Sequence, residues 1–163
     1  VIPLVGAGVS LAAVNGPAAV VLSGERSAVA GVVDRLGDRR VRWLRVSHAF
    51  HSELMDPMMA EYRAVLSSVV FREPVLPVVS TVTGALAGTG WCDPEYWVRQ
   101  VRETVRFAEG MAALGGVGVS RFLELGPDGV LSAMGQDCAP EGVFVPVLRR
   151  DRPEPETVVG ALA

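Results

Sequence analysis

Two short β-prone runs, Ser10 to Val14 and Ala18 to Ser23, flank Asn15-Gly16-Pro17, whose residues favour a turn and forbid a continuous helix. The pattern predicts strand, turn, strand. From Glu25 to Leu36 the apolar positions Ala28, Val29, Val32, Val33 and Leu36 fall on one helical stripe, with Ser23 as its cap and Gly37 as its stop. Val41 to Val46 then alternates Val, Trp, Arg and Leu as a strand would. Glu53 to Ser68 spaces Leu54, Met58, Met59, Tyr62, Val65 and Leu66 as an amphipathic helix that Ser52 can cap. Residues Pro74 to Gly84 have the character of a buried strand, Asp93 to Val101 and Phe107 to Leu114 of helices, and Phe122 to Leu125 of a short strand. Gly126-Pro127 turns the chain into Val130 to Met134, and Arg149 to Glu156, with two prolines among charges, reads as surface linker. The order β-β-α-β followed by α-β-α-β predicts an α/β architecture with a small antiparallel layer appended.

Composition narrows the function classes. With 163 residues, half of them apolar, the chain can bury one core. Its net charge of −3 offers no broad positive field, which argues against nucleic acid and against anionic membranes as partners. All fifteen basic residues are arginine, a bias more easily explained by a GC-rich coding sequence than by any property of a binding surface. Cys92 and Cys138 lie far apart without metal-ligand spacing, which points to a reducing, cytoplasmic setting. No stretch approaches the roughly 18 consecutive apolar residues of a membrane span, and the amino terminus lacks a charged lead-in to an apolar segment. The chain opens without Met and closes on Val-Val-Gly-Ala-Leu-Ala, like a helix interrupted, so a piece of a longer polypeptide is expected.

Both histidines stand in one tract, Val46-Ser-His-Ala-Phe-His-Ser52, where a predicted strand ends and a helix cap begins. Imidazole changes charge near neutral pH, so a general base at this place would face a cleft; ordinary surface or core histidines are the plain alternative. A metal site would use His48 and His51 with Glu53 or Asp56, but it needs a helix through Phe50 and a further firm ligand. Gly6-Ala7-Gly8 after apolar Val1 to Val5, with Glu25 following a second strand, resembles a dinucleotide fingerprint. Against it, Leu11 takes the place of the third glycine, and Asn15-Gly16-Pro17 breaks the helix that would hold the pyrophosphate. No Gly-x-Ser-x-Gly presents a nucleophilic serine anywhere in the chain. Ser47 and Ser52 adjoin the histidines in sequence, which aims their side chains apart, so Ser52 reads as a cap.

Four motifs in order, Val-Ser-Leu-Ala-Ala-Val-Asn-Gly-Pro (9 to 17), Val-Ser-His-Ala-Phe-His-Ser (46 to 52), Tyr-Trp-Val-Arg-Gln-Val-Arg-Glu-Thr-Val-Arg-Phe (96 to 107) and Leu-Glu-Leu-Gly-Pro (123 to 127), closely resemble the acyltransferase domain of modular type I polyketide synthases. The resemblance spans essentially the whole chain. It implies a malonyl-CoA:acyl carrier protein transacylase fold, in which a ferredoxin-like small subdomain is inserted into a hydrolase-like α/β subdomain. Residues 1 to 48 would then be most of the small subdomain, 49 to 148 the carboxy-terminal part of the large one, and 149 to 163 a linker. The family's Gly-His-Ser-x-Gly elbow, its oxyanion-hole donors and its carboxylate-gripping arginine have no counterpart here, so the chain reads as truncated at its amino terminus and inactive alone.

In the family a serine takes an extender unit from a coenzyme A thioester and passes it to the phosphopantetheine thiol of an acyl carrier protein. The resemblance therefore implies malonyl-CoA, a carrier protein, and flanking ketosynthase and other synthase domains as partners, with no cofactor or metal in this chain. The general base would be His51, with a backbone carbonyl at Arg106 orienting its ring. Asn15 matches a position lining the acyl and pantetheine channel. His48-Ala49-Phe50-His51 matches the malonyl-selective version of the motif, in which the phenyl ring of Phe50 fills the space an α-methyl branch would need. The plain alternative is a structural or docking fragment that transfers nothing.

Overall fold

The computed structural model describes residues 5–162; the start of the apolar run Val1 to Val5 and the final Ala163 lie outside them. Strands β1 (Val9–Gly16) and β2 (Ala19–Gly24) form an antiparallel hairpin, followed by helix α1 (Arg26–Val33) and a 3-10 turn over Asp34–Leu36. A second 3-10 turn, Glu53–Met55, leads into α2 (Asp56–Leu66). Then come the two-residue strands β3 (Val79–Ser80) and β4 (Ala85–Leu86), a 3-10 turn over Thr89–Cys92, α3 (Pro94–Arg102) and α4 (Phe107–Gly116). The chain closes with β5 (Arg121–Glu124), α5 (Val130–Cys138), β6 (Val143–Pro146) and α6 (Glu154–Leu162).

The expected hairpin and helices form where local signals are complete. Asp93 caps α3 by accepting the Glu95 N–H at 2.9 Å, Pro94 occupies the first turn, and Arg99 and Arg102 sit in the last, where positive charge opposes the helix dipole. Gly37 stops the α1 segment at a φ of 61°, but Ser23 is no cap. It pairs with Ser10 inside β2, and the helix starts after Glu25, whose side chain makes no capping bond.

Two predicted strands fail for want of partners. Residues 38–46 are exposed and pair with no strand among the described residues. A strand is made by its neighbour's N–H and C=O groups, so alternation alone does not create one. The Pro74 to Gly84 run shrinks to Val79–Ser80, and Val75 is 98% exposed. Pro74 and Pro77 lack ladder donors, and Gly84, at φ 70°, donates to the Ser80 carbonyl to close a tight turn. Glu109 packs so closely over Gly84 that no side chain fits there.

Beyond the predicted elements stands β6, parallel to β5 with Phe122 beside Phe144 and their rings stacked at 4.4 Å. Helix α5 lies against this pair, and a Cβ at Gly135 would run into the Phe144 ring. The stretch read as linker is partly helix, since α6 begins at Glu154 with Pro155 tolerated in its first turn.

A small core joins Val9, Val29 and Val32 between the hairpin and α1. Strand β1 also packs on α4 and α5, and it exchanges backbone bonds with Val105, whose carbonyl accepts the Val14 N–H at 2.9 Å. The hairpin is thereby fixed against the segment between α3 and α4, and that segment positions the histidine tract.

Candidate active site

The histidine tract is a tight turn, not a helix or a strand. His51 has a φ of 62°, the only positive value on a non-glycine residue among the described residues. Histidine enters the left-handed region more readily than most residues, yet it holds that conformation only where its surroundings enforce it. Two long-range bonds do so. The His51 N–H donates to the Val101 carbonyl at 2.9 Å, and Nδ1 of its ring lies 2.8 Å from the Glu103 carbonyl.

A carbonyl oxygen can only accept, so Nδ1 carries the proton in that bond. In the neutral ring the lone pair then falls on Nε2, the arrangement a general base requires. His51 lines an open cavity of about 330 Å³ together with Ser10, Leu11, Arg102, Glu103, Thr104 and Arg106. The 103–106 segment is itself anchored: Thr104 Oγ1 donates to the Leu11 carbonyl at 2.6 Å, and the Val105 N–H to the Ala12 carbonyl at 2.8 Å.

The orienting carbonyl belongs to Glu103, not to Arg106 as expected. Two residues separate them, and the end of α3 decides between them: Val101 and Glu103 lie where the helix unwinds and its last carbonyls lack partners inside it. Arg106 turns instead to its own contacts, its N–H donating to the Thr81 carbonyl at 2.8 Å and its guanidinium pairing with Glu109 at 2.9 Å. It still contributes to the cavity wall.

Phe50 stands beside the base, its ring centroid 6.5 Å from that of His51 and 6.0 Å from that of His48. His48 is exposed, with Nδ1 2.9 Å from the Ser47 hydroxyl. Ala49 uses its carbonyl to accept the Ser52 hydroxyl at 2.6 Å. Asn15 is not part of the cavity wall; its carbonyl accepts the Cys138 thiol at 3.4 Å at the far end of β1. Burial, followed by the charge of Asp137, pushes the Cys138 thiol above its ordinary range, so it is not an activated thiolate.

Neither rival chemistry finds its scaffold. The metal alternative needed a helix through Phe50, where the chain makes a turn. The dinucleotide alternative needed a helix after Gly6-Ala7-Gly8, and strand β1 follows instead. Sequence reasoning missed Glu103 and Thr104, which act through a carbonyl and a hydroxyl that any residue or either small alcohol could supply.

The Leu-Glu-Leu-Gly-Pro motif lies at α5, away from the cavity. Glu124 accepts from the N–H groups of Leu131 and Ser132 and from the Ser132 hydroxyl, at 2.7 to 2.9 Å. Burial pushes its carboxyl up, but these three donors outweigh burial and hold it below the usual carboxylate range.

Comparison with known proteins gives a consistent result. Residues 5–163 match the acyl transferase domain family. The polyketide synthase GfsB of Streptomyces halstedii is 52% identical over 97% of the chain, which spans 3% of that synthase's length. Among solved structures, the acyltransferase domain from the second module of the salinomycin polyketide synthase superposes with a TM-score of 0.91 at 52% identity, over 95% of this chain and 37% of that one. A malonyl-transacylase solved with its type II polyketide synthase acyl carrier protein superposes with a TM-score of 0.82 at 28% identity, over 94% of this chain and 49% of that one.

Proposed function

This chain belongs to the acyl transferase domain family, with the α/β fold of the polyketide synthase acyltransferases, and on that premise we propose that it carries the general-base side of a malonyl-transfer site. The observation that carries the reading is the bond from His51 Nδ1 to the Glu103 carbonyl, which presents Nε2 as a base. A serine, supplied by synthase polypeptide outside these 163 residues, would attack the malonyl-CoA carbonyl while Nε2 takes its proton. The coenzyme thiolate leaves with that proton, and the malonyl group remains on the serine as an ester. The phosphopantetheine thiol of an acyl carrier protein then attacks the ester, giving its proton to Nε2, which returns it to the serine oxygen. No cofactor resides in this chain by this reading; the phosphopantetheine arrives on the carrier, and flanking ketosynthase and other synthase domains share the polypeptide.

Phe50 supports malonyl as the extender. Its ring beside His51 takes up the space of an α-methyl branch, and rejecting one methyl is worth about 10–200-fold. Asn15 and His48 are the further substrate-facing candidates of this reading, Asn15 toward the pantetheine arm. The absence of any Gly-x-Ser-x-Gly favours a second reading for the isolated chain, a docking piece that forms no acyl-enzyme by itself. The test uses the intact synthase acyltransferase domain containing this sequence, with labelled malonyl-CoA and the holo carrier protein. His51→Ala should cut transfer about 10²–10⁴-fold; an unchanged rate would overturn the assignment.

A further inference from the structure

Ser52 is completely buried, and it sits directly after the candidate base. Its hydroxyl makes two bonds. It donates to the Ala49 carbonyl at 2.6 Å and accepts the Leu54 N–H at 3.3 Å. The second bond is a cap for the 3-10 turn at Glu53–Met55, as the sequence leads one to expect. A cap does not need the first. The donated bond closes a loop that contains only Phe50 and His51, and His51 in that loop holds its left-handed φ of 62°.

We propose that Ser52 is a positioning residue, whose hydroxyl clasps Ala49 and so holds the rings of Phe50 and His51 in register with the Glu103 carbonyl. The Phe50-His51 pair is pinned on one side by α3, through the Val101 and Glu103 carbonyls, and on the other by the Ser52 hydroxyl. Releasing the hydroxyl leaves the part-buried Ala49 carbonyl unmet and lets His51 relax out of the left-handed region. The ring then leaves the Glu103 carbonyl, the proton is no longer confined to Nδ1, and Nε2 is occupied part of the time. The same motion displaces Phe50, so rate and extender selectivity decline together.

This inference rests on the proposed role of His51, and its test separates the two. In the intact acyltransferase domain, Ser52→Ala should lower kcat for malonyl transfer about 10–100-fold, the penalty for small misplacement of a reacting group, with KM for malonyl-CoA little changed. With ¹⁵N-labelled histidine, the His51 ring, assigned through His51→Gln, should pass from a single Nδ1–H form to a mixture of tautomers. Glu124→Gln, which loosens the cap of α5 away from the cavity, is the stability control and should leave kcat unchanged. A Ser52→Ala domain with the parent's kcat, or one whose activity drops only with its folded fraction while the ring signal stays single, overturns the proposal. Should Ser52→Ala fail to fold, Ser52→Cys, similar in size but a weaker donor, serves in its place with the same two readouts. If His51→Ala leaves transfer intact, the catalytic reading falls, whereas the ring signal of Ser52→Ala still decides whether the clasp exists.

Discussion

Residues 38–46 and 47–55 adjoin in sequence, and both look ordered in the pattern of their side chains, yet the first stretch is exposed throughout while the second is tied down at nearly every step. In the upstream stretch Trp43 is 50% exposed and is touched by the Arg26 guanidinium, 5.3 Å from its ring centroid. In the downstream stretch Ser52 and Met55 are buried, and His51 is bonded through both its backbone and its ring to the end of α3. The difference lies in what faces each one. The carbonyls of the α3 terminus bond the histidine tract, and residues 38–46 pair with no strand among the described residues.

That contrast can be broken hardest at the base itself. His51→Ala removes the proposed base, and transfer assays should register a loss of about 10²–10⁴-fold. Next comes the core of α3. Val98, on α3, is 0% exposed, and Val98→Ala should destabilise the domain by about 1.5–3 kcal/mol, read from denaturant unfolding. Val98→Ala should also slow transfer, because α3 holds the two carbonyls. Phe50→Ser tests the proposed role of the ring beside His51: competition between malonyl- and methylmalonyl-CoA should lose up to about 1–3 kcal/mol of discrimination, and an unchanged ratio would mean that other residues sort the extender.

A third anchored point, Glu124 at the end of β5 and capping α5, sharpens the comparison through pH. Its folded carboxyl titrates below the unfolded range near about 4.3, so its contribution is present above that range and is lost as pH falls through the folded value. Glu124→Gln should cost about 1 kcal/mol near neutrality, as loss of a helix cap does. The gap in Tm between variant and parent should close as the pH is lowered through the acid range. The smallest effect belongs to the exposed stretch: Trp43→Ser should change stability by no more than about 0.5 kcal/mol, and a larger change would mean that 38–46 is packed after all.

Legibility followed the range of the forces involved. Helix α3 was readable because its cap, its proline and its 3.6-residue stripe act within a few residues, and α4 by its apolar stripe alone. Strand β6 was not, since Val143–Pro146 becomes a strand only by lying parallel to β5, and Gly135 gives no local hint that α5 must approach Phe144. Arg106 and Glu103 differ in the same way: a backbone carbonyl carries no side-chain signature, so which of them meets His51 depends on where α3 unwinds.

By itself the sequence determined the chemistry available: one imidazole tract, a phenyl ring beside it, no elbow serine, and motifs shared with the acyltransferases. Tertiary structure alone decided the proton on Nδ1, the left-handed backbone at His51, the second bond of Ser52 and the missing strand at 38–46. The reason is that side-chain identity and short-range periodicity are written residue by residue, whereas a backbone hydrogen bond is satisfied only by whatever folding brings within about 3 Å.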